Sequence, residues 1–398
     1  LDIRVSKAEL DERLSKFIAL MNVSANDWDT AFIIGKVNQY YFTGTMQDGL
    51  LIVKRTGGAF YCVRRSFERA GQESGFDGIY AIESYRDAAA IAGADCGNVY
   101  IETEVVTFGI TERLKKAFNM DKIASLDKII MTLRSVKSPY ELYWMEQSGK
   151  AHVDLLHNSI PNLLQEGMSE IEFGAELFRE MMRLGYQGMS RFSMFQTEMV
   201  VGQIGFGDSS LAATNFDGPG GGLGMYPAVP ILGSRERRLK KGDLVFADIA
   251  FGMNGYHTDK TQVFMFGATP CADIVKAHEG CINVQRNIAR LLRPGAIPAI
   301  IYNDIMLGLS EDFKNNFMGF GSRKVKFLGH GVGLHIDEFP VIANGFKEPL
   351  VENMVIALEP KKGVVGIGMV GVEDTYLVTP EGGRCITGGG SEIIAVKA

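Results

Sequence analysis

Histidine is scarce in this chain: there are six in 398 residues, and none precedes His152. The first third therefore offers no imidazole for catalysis, and it gathers no other cluster of metal-ligating residue types. Long apolar runs are missing as well. No uninterrupted stretch approaches the roughly 18 residues of a membrane-spanning helix, which excludes an integral membrane protein of the helical kind. Residues 1–24 carry Arg4, Lys7, Glu9, Asp11, Glu12, Arg13 and Lys16, leaving no apolar centre for a signal peptide, so a cytoplasmic location is expected. There is no long basic run, and the net charge is −6. Neither nucleic acid nor an anionic membrane is then the expected partner. The five cysteines show no CxxC spacing, and an odd, scattered set fits reduced thiols better than a disulfide framework.

What is present suits a soluble globular protein of two domains: 46% hydrophobic and 22% charged residues over a length that buries sizeable cores. Residues 8–22 place Leu10, Leu14, Phe17, Ile18 and Met21 at helical spacing. Short β-prone runs follow at 30–35, 50–55, 58–63 and 98–102, with a helix over 87–93, which predicts an α/β arrangement for about the first 125 residues. Ser138-Pro139 opens a second amphipathic segment, and the domain boundary is placed just before it. On that helix His152 and His157 stand five apart and share no face, so they are not read as a metal pair. Ser169 with Glu172 reads as a capping box. FDGPGGGLGMYPAVP (216–230) is a loop without a P-loop lysine, read as one wall of a pocket rather than a phosphate cradle.

The richest stretch is GDLVFADIAFGMNGYHTDKTQVFMFG (242–267). Asn254-Gly255 is a type I′ turn signal between two apolar, β-prone runs, which predicts a hairpin with Asp248 and Asp259 about opposite each other. Facing carboxylates repel unless a cation lies between them, and one inside VFADIAF is costly to bury uncompensated. A metal would supply the charge; one aspartate in a turn and one on a solvated face is the plainer alternative. Further on, GHG places His330 between two glycines, ALEP puts Glu359 at the end of an apolar strand, and GVEDTYLVT puts Glu373 inside another. Four acids and one histidine exceed what a tetrahedral zinc needs and suit two hard or borderline divalent ions, Mn, Fe, Co or Zn.

Taken in order, GDLVFADIAFGMNGYHTDKT, GHGVGLHIDEFP, ALEP and VEDTYLVT resemble the pita-bread metallohydrolases, the family of prolidase, aminopeptidase P, methionine aminopeptidase and creatinase. RSVKSPYELYWMEQSGKAH (134–152) and EGMSEIEF (166–173) extend the resemblance upstream, and NQYYFTG (38–44) is similar to the creatinase-type N-terminal domain. The resemblance implies an α/β creatinase-like domain at 1–132, an α+β pita-bread catalytic domain at 133–398 and a homodimer. It also implies a dinuclear site of Asp248, Asp259, His330, Glu359 and Glu373. The expected activity is that of an Xaa-Pro dipeptidase or aminopeptidase, a bridging hydroxide attacking an amide carbonyl with Glu359 as proton shuttle.

Departures from the pattern bear on the substrate. The peptidases carry a histidine seven residues after the ligand histidine; here Asp337 stands there, and His335 lies two residues earlier. If the segment is extended the two share a side, so His335 is the expected hydrogen-bond donor to the reacting carbonyl, with Asp337 orienting it. A substrate-side arginine two positions before the last glutamate is replaced by Gly371, and no histidine lies between His157 and His257. Two other readings stay beside the peptidase: a metal-dependent hydrolase or lyase of a small non-peptide substrate, and a non-catalytic binding module on the same fold.

Overall fold

The computed structural model describes residues 3–390 and 392–398. It divides into two compact units, residues 1–134 and 135–398. The N-terminal unit is built on a six-stranded mixed sheet. Its centre, Thr30–Ile33, pairs antiparallel with Asp48–Lys54 and parallel with Asp95–Ile101. Helix Lys7–Ser24 buries Leu10, Phe17 and Met21, the face set by their helical spacing. The helix predicted at 87–93 spans Tyr85–Ala92, started by a Ser84–Asp87 capping box.

In the C-terminal unit two sheets carry the chemistry. One is four-stranded and centred on Leu244–Met253 and Tyr256–Phe266; the other is five-stranded, with Gly329–Gly331 and Val355–Leu358 adjacent within it. Helix Pro139–Val153 begins as its sequence dictates, with Pro139 in the first turn and a reciprocal Ser138–Glu141 box. Helix Glu170–Arg183 starts with the Ser169–Glu172 box and buries Phe173, Leu177 and Met181. These side chains join Val245, Ile249, Phe251 and Phe264 from the hairpin in one core, each contributing about 1.5–3 kcal/mol by leaving water. A second core gathers Cys281, Val284 and Ile288 of helix Ala272–Leu291 under Ile356, Leu358 and Tyr376. The hairpin and the Val355–Leu358 strand are thus backed by packed side chains, which fixes the acids that they carry.

Candidate metal centre

Strands Leu244–Met253 and Tyr256–Phe266 pair along their whole length. Asn254 and Gly255 both take positive φ, 48° and 93°, as a type I′ turn requires. The register pairs Asp248 with Thr261 and Ala250 with Asp259, so the two aspartates are diagonal neighbours on one face rather than directly opposite. Thr261 also bridges to Glu373, at the break between strands Gly368–Gly371 and Asp374–Thr379; Glu373 therefore closes a strand junction instead of sitting inside a strand. His330 pairs with Ala357, one strand away from Glu359. The glycines beside it are sterically required: a Cβ at Gly329 would lie 2.3 Å from the Ala357 carbonyl oxygen, and one at Gly331 2.1 Å from that of Phe339.

These elements converge. One ligand atom each from Asp259, His330 and Glu373 lies within 4.8 Å of the others. His330 Nδ1 is 3.1 Å from the Gly331 carbonyl oxygen, a contact that puts the proton on Nδ1 and turns Nε2 toward the acids. Nε2 is 3.4 Å from Glu359 Oε1 and 3.8 Å from Glu373 Oε1. Glu373 Oε1 is buried and receives no hydrogen bond, an arrangement whose cost an ion would remove.

The other side of the cluster holds a residue that the reading of the sequence passed over. The Lys361 ammonium, fully buried, lies 2.9 Å from Asp248 Oδ2, 2.9 Å from Glu359 Oε2 and 2.7 Å from Glu373 Oε2. The Thr261 hydroxyl is 2.9 Å from Asp248 Oδ1 and 3.1 Å from Glu373 Oε2, with one proton for the two carboxylates. The sequence carries no local signal for this lysine, since Lys361 and Lys362 stand side by side after ALEP and nothing in the pair marks which one is buried. Directly behind, Lys260 and Asp374 form a second buried ion pair at 2.5 Å, each next in sequence to a cluster acid.

Electrostatics follow from this packing. Burial opposes the charge of Lys361, but the surrounding carboxylates outweigh it and hold the ammonium well above its ordinary pKa. Burial likewise works against an ionised Glu359, yet the Lys361 charge and the His330 hydrogen bond keep its carboxyl below the usual range. Asp259 and Glu373 are pushed well above it by burial and by neighbouring acids. Burial also disfavours protonated His330, while the bond and charge of Glu359 prevail and raise it to about 9. Two unit charges 4 Å apart interact by about 4 kcal/mol at an effective dielectric near 20. A divalent ion that close to the Lys361 ammonium would meet repulsion on the order of twice that. Of the five residues expected to hold two ions, Asp248, Glu359 and Glu373 touch Lys361, and Asp259, His330 and Glu373 bring their ligand atoms together, with Glu359 also beside His330.

Comparison with known proteins gives the family and the fold. The profile of "Metallopeptidase family M24" matches residues 144–380, and that of "Creatinase/Prolidase N-terminal domain" matches 13–136. The chain belongs to metallopeptidase family M24. It is a metallohydrolase with the pita-bread fold and a creatinase-type N-terminal domain. It is 26% identical over 388 residues to the Xaa-Pro dipeptidase of Pyrococcus furiosus, covering 95% of this chain and 98% of that one. The prolidase structure from Pyrococcus horikoshii superposes with a TM-score of 0.77 at 22% identity, covering 96% of this chain and 100% of the other. An Xaa-Pro dipeptidase structure from Bacillus anthracis gives 0.78 at 18% identity, covering 97% and 100%.

Within this M24 chain the expectation for residues 335–337 needs correction. Residues 333–337 form a bend rather than extended strand, so positions 335 and 337 do not follow the two-residue alternation. The bend is folded over the buried Glu338 carboxylate, which accepts from the His335 backbone N–H at 2.9 Å and pairs with Lys137 at 3.2 Å. Asp337 accepts from the Ser193 N–H at 2.5 Å, the Ser193 hydroxyl at 2.9 Å and the Met194 N–H at 2.9 Å. Through these three bonds it anchors residues 193–194. The glycine-rich segment 216–230 is irregular, and it is tied down: Arg323 donates to the carbonyls of Thr214 and Gly218 at 2.9 and 2.6 Å. A Cβ at Gly220 would lie 2.5 Å from Gln203 Oε1 and 2.9 Å from Phe246, so the loop lies against the strand pair that carries Asp248.

Proposed function

We propose that this chain hydrolyses amide bonds of short peptides with a divalent ion held by Asp259, His330 and Glu373, and with Glu359 as proton carrier. The observation that carries the reading is that one ligand atom each from these three residues lies within 4.8 Å of the others, while a buried Glu373 oxygen has no protein donor. Bound there, a divalent ion polarises a carbonyl and lowers the pKa of water toward neutrality. The chain's own residues do the rest. Gly331 fixes the His330 tautomer, so that Nε2 offers its lone pair to the centre. Glu359, held ionised by Lys361, is placed to take a proton from water and return it to the leaving amine. Phe246, fully buried beside Lys361 with its ring centre 5.9 Å from the ammonium, helps keep bulk water out. His335 is the remaining candidate donor to a developing oxyanion.

Peptide as the substrate class rests on the family and on its dipeptidase relatives. A small non-peptide substrate is a second reading, favoured by one observation. Where the peptidases of this family carry a histidine, Asp337 presents acceptor oxygens already bound to Ser193 and Met194. Simple Xaa-Pro dipeptides are therefore expected to be cut slowly. Manganese, iron, cobalt or zinc and a homodimer complete the reading, to be checked by metal analysis and light scattering.

The experiment loads the metal-stripped protein with Mn(II) and assays Xaa-Pro dipeptides, longer peptides and small amides, with wild type beside Glu359→Gln and His335→Ala. Glu359→Gln should lower turnover by about 10²–10⁴ while retaining ion. Losing one oxyanion donor in His335→Ala should cost roughly 10²–10³. Unimpaired cleavage in His335→Ala removes the donor role, and ion-loaded protein that cuts no peptide turns the assignment to the non-peptide class.

A further inference from the structure

We propose that Lys361 is a built-in cation that fills one of the two positive positions of the acid cluster, so that this M24 member takes a single divalent ion at Asp259, His330 and Glu373. The inference rests on the metal-dependent reading above and changes its stoichiometry. Three observations carry it.

The ammonium is matched rather than incidental. Its three protons meet three carboxylates drawn from three segments, at 2.9, 2.9 and 2.7 Å. One of these, Asp248, has its other oxygen 2.9 Å from the Thr261 hydroxyl, which also reaches Glu373 Oε2 at 3.1 Å, so Asp248 is engaged on both sides by protein groups.

The backbone opposite is cleared for it. Gly371 is the ladder partner of Lys361. A Cβ on Gly371 would lie 2.4 Å from the Pro360 carbonyl oxygen, 2.6 Å from Lys361 Cα and 3.0 Å from Lys361 Cγ, and its φ is +137°. Any other residue at 371 would push on the stem that delivers the ammonium. The two shortest approaches are to backbone atoms, so glycine at 371 lets the two strands close together there, and the stem of Lys361 passes beside it at the third.

The remaining donors all face the other way. Glu373 splits its oxygens: Oε2 accepts from Lys361, and Oε1 is buried without a donor. Glu359 does the same, with Oε2 on Lys361 and Oε1 toward His330 Nε2. What is left open is one ligand group.

Ion counting tests this, independently of activity. Wild type stripped with chelator is titrated with MnCl2 alone, and bound ion per chain is read by calorimetry and by elemental analysis after gel filtration. One ion per chain is expected. Asp248→Asn should leave the count at one with Kd changed less than about threefold, because Asp248 holds the lysine; Asp259→Asn should lose the ion. Lys361→Ala, with thermal melting in Mn(II) as the check on folding, should take two. Two tight ions in wild type, or loss of an ion in Asp248→Asn, overturns the inference while leaving the hydrolase reading intact. Lys361→Ala that is folded and still takes one also overturns it. Folded wild type that takes none defeats the metal-dependent reading itself.

Discussion

At the residue scale the cluster shows how a buried charge is tolerated only in company. Lys260 and Asp374 are each about 1% exposed and 2.5 Å apart. The ammonium also donates to the Gly389 carbonyl at 3.0 Å, and the carboxylate accepts from Thr387 at 2.9 Å. Breaking such a pair leaves a charge in a low-dielectric interior, which costs about 3–5 kcal/mol, whereas replacing both partners by apolar groups is often neutral. Lys260→Met should therefore lower stability by about 3–5 kcal/mol, and Lys260→Met with Asp374→Leu should recover most of that loss. Urea unfolding of the two variants decides it: a double variant as unstable as the single one removes the pair as the cause. Neither Lys260 nor Lys361 was legible in the sequence as part of a centre. A lysine reads as a solvated charge until the fold shows what it meets, and among the acids that receive these two, Asp374 for Lys260 and Asp248 for Lys361 lie 114 and 113 residues away. The acids and His330 were legible, since carboxylates embedded in apolar strands are conspicuous on their own.

At the scale of single elements, legibility follows locality. The Asn254-Gly255 hairpin and the capping boxes at Ser138 and Ser169 use donors and acceptors within a few residues, and the chain forms each where its sequence says it should. Helix Lys36–Thr43 is different. Its N-cap Gly35 has no side chain to offer, and the cap comes from Glu102, 67 residues on. That buried carboxylate accepts from the Ile34 and Gly35 N–H groups at 2.6 and 2.7 Å and from the Asn38 amide at 2.6 Å. A Cβ at position 35 would lie 2.6 Å from Glu102 Oε1, so glycine is what lets the anion approach. Hydrogen bonds to a charged group are worth about 1.5–3 kcal/mol each, and an N-terminal anion adds a favourable dipole term. Glu102→Ala should then destabilise the N-terminal unit by about 2–4 kcal/mol, seen as a lower urea midpoint, and Gly35→Ala should cost a similar amount by crowding the carboxylate. A Glu102→Ala loss below about 1 kcal/mol would show that water caps the helix equally well.

At the scale of the whole molecule the C-terminal unit keeps His152 and His257 neutral inside a packed core, and these two set part of its response to acid. His257 Nδ1 lies 3.0 Å from the Gly333 carbonyl oxygen, and Nε2 lies 2.8 Å from the Gln187 side-chain nitrogen. Gln187 Oε1 accepts from the Gly255 N–H at 2.9 Å, which orients the amide so that its nitrogen donates to the ring. One ring nitrogen donates and the other accepts, so a second proton has no place to go. Burial, the largest influence, accordingly lowers the His257 pKa to about 4, and burial with the nearby Lys260 charge lowers that of His152 as well. An unfolded histidine titrates near 6.5. Because the folded value is depressed, the stabilisation is complete above about 6.5 and is lost as pH falls from there toward 4, approaching about 1.4 kcal/mol per pH unit for each such group. Ion-loaded protein should therefore show a urea midpoint that falls steadily between pH 6.5 and 5, and His257→Gln should reduce that slope by the share of one proton whatever its effect on absolute stability. The ion-loaded form is the right one to compare, because His330, raised to about 9 without an ion, acts in the opposite sense: its stabilisation is full below 6.5 and is lost as pH rises through 9. Identical slopes in wild type and His257→Gln would mean that His257 takes up its proton in the folded state, and the neutral-histidine account would fall with it.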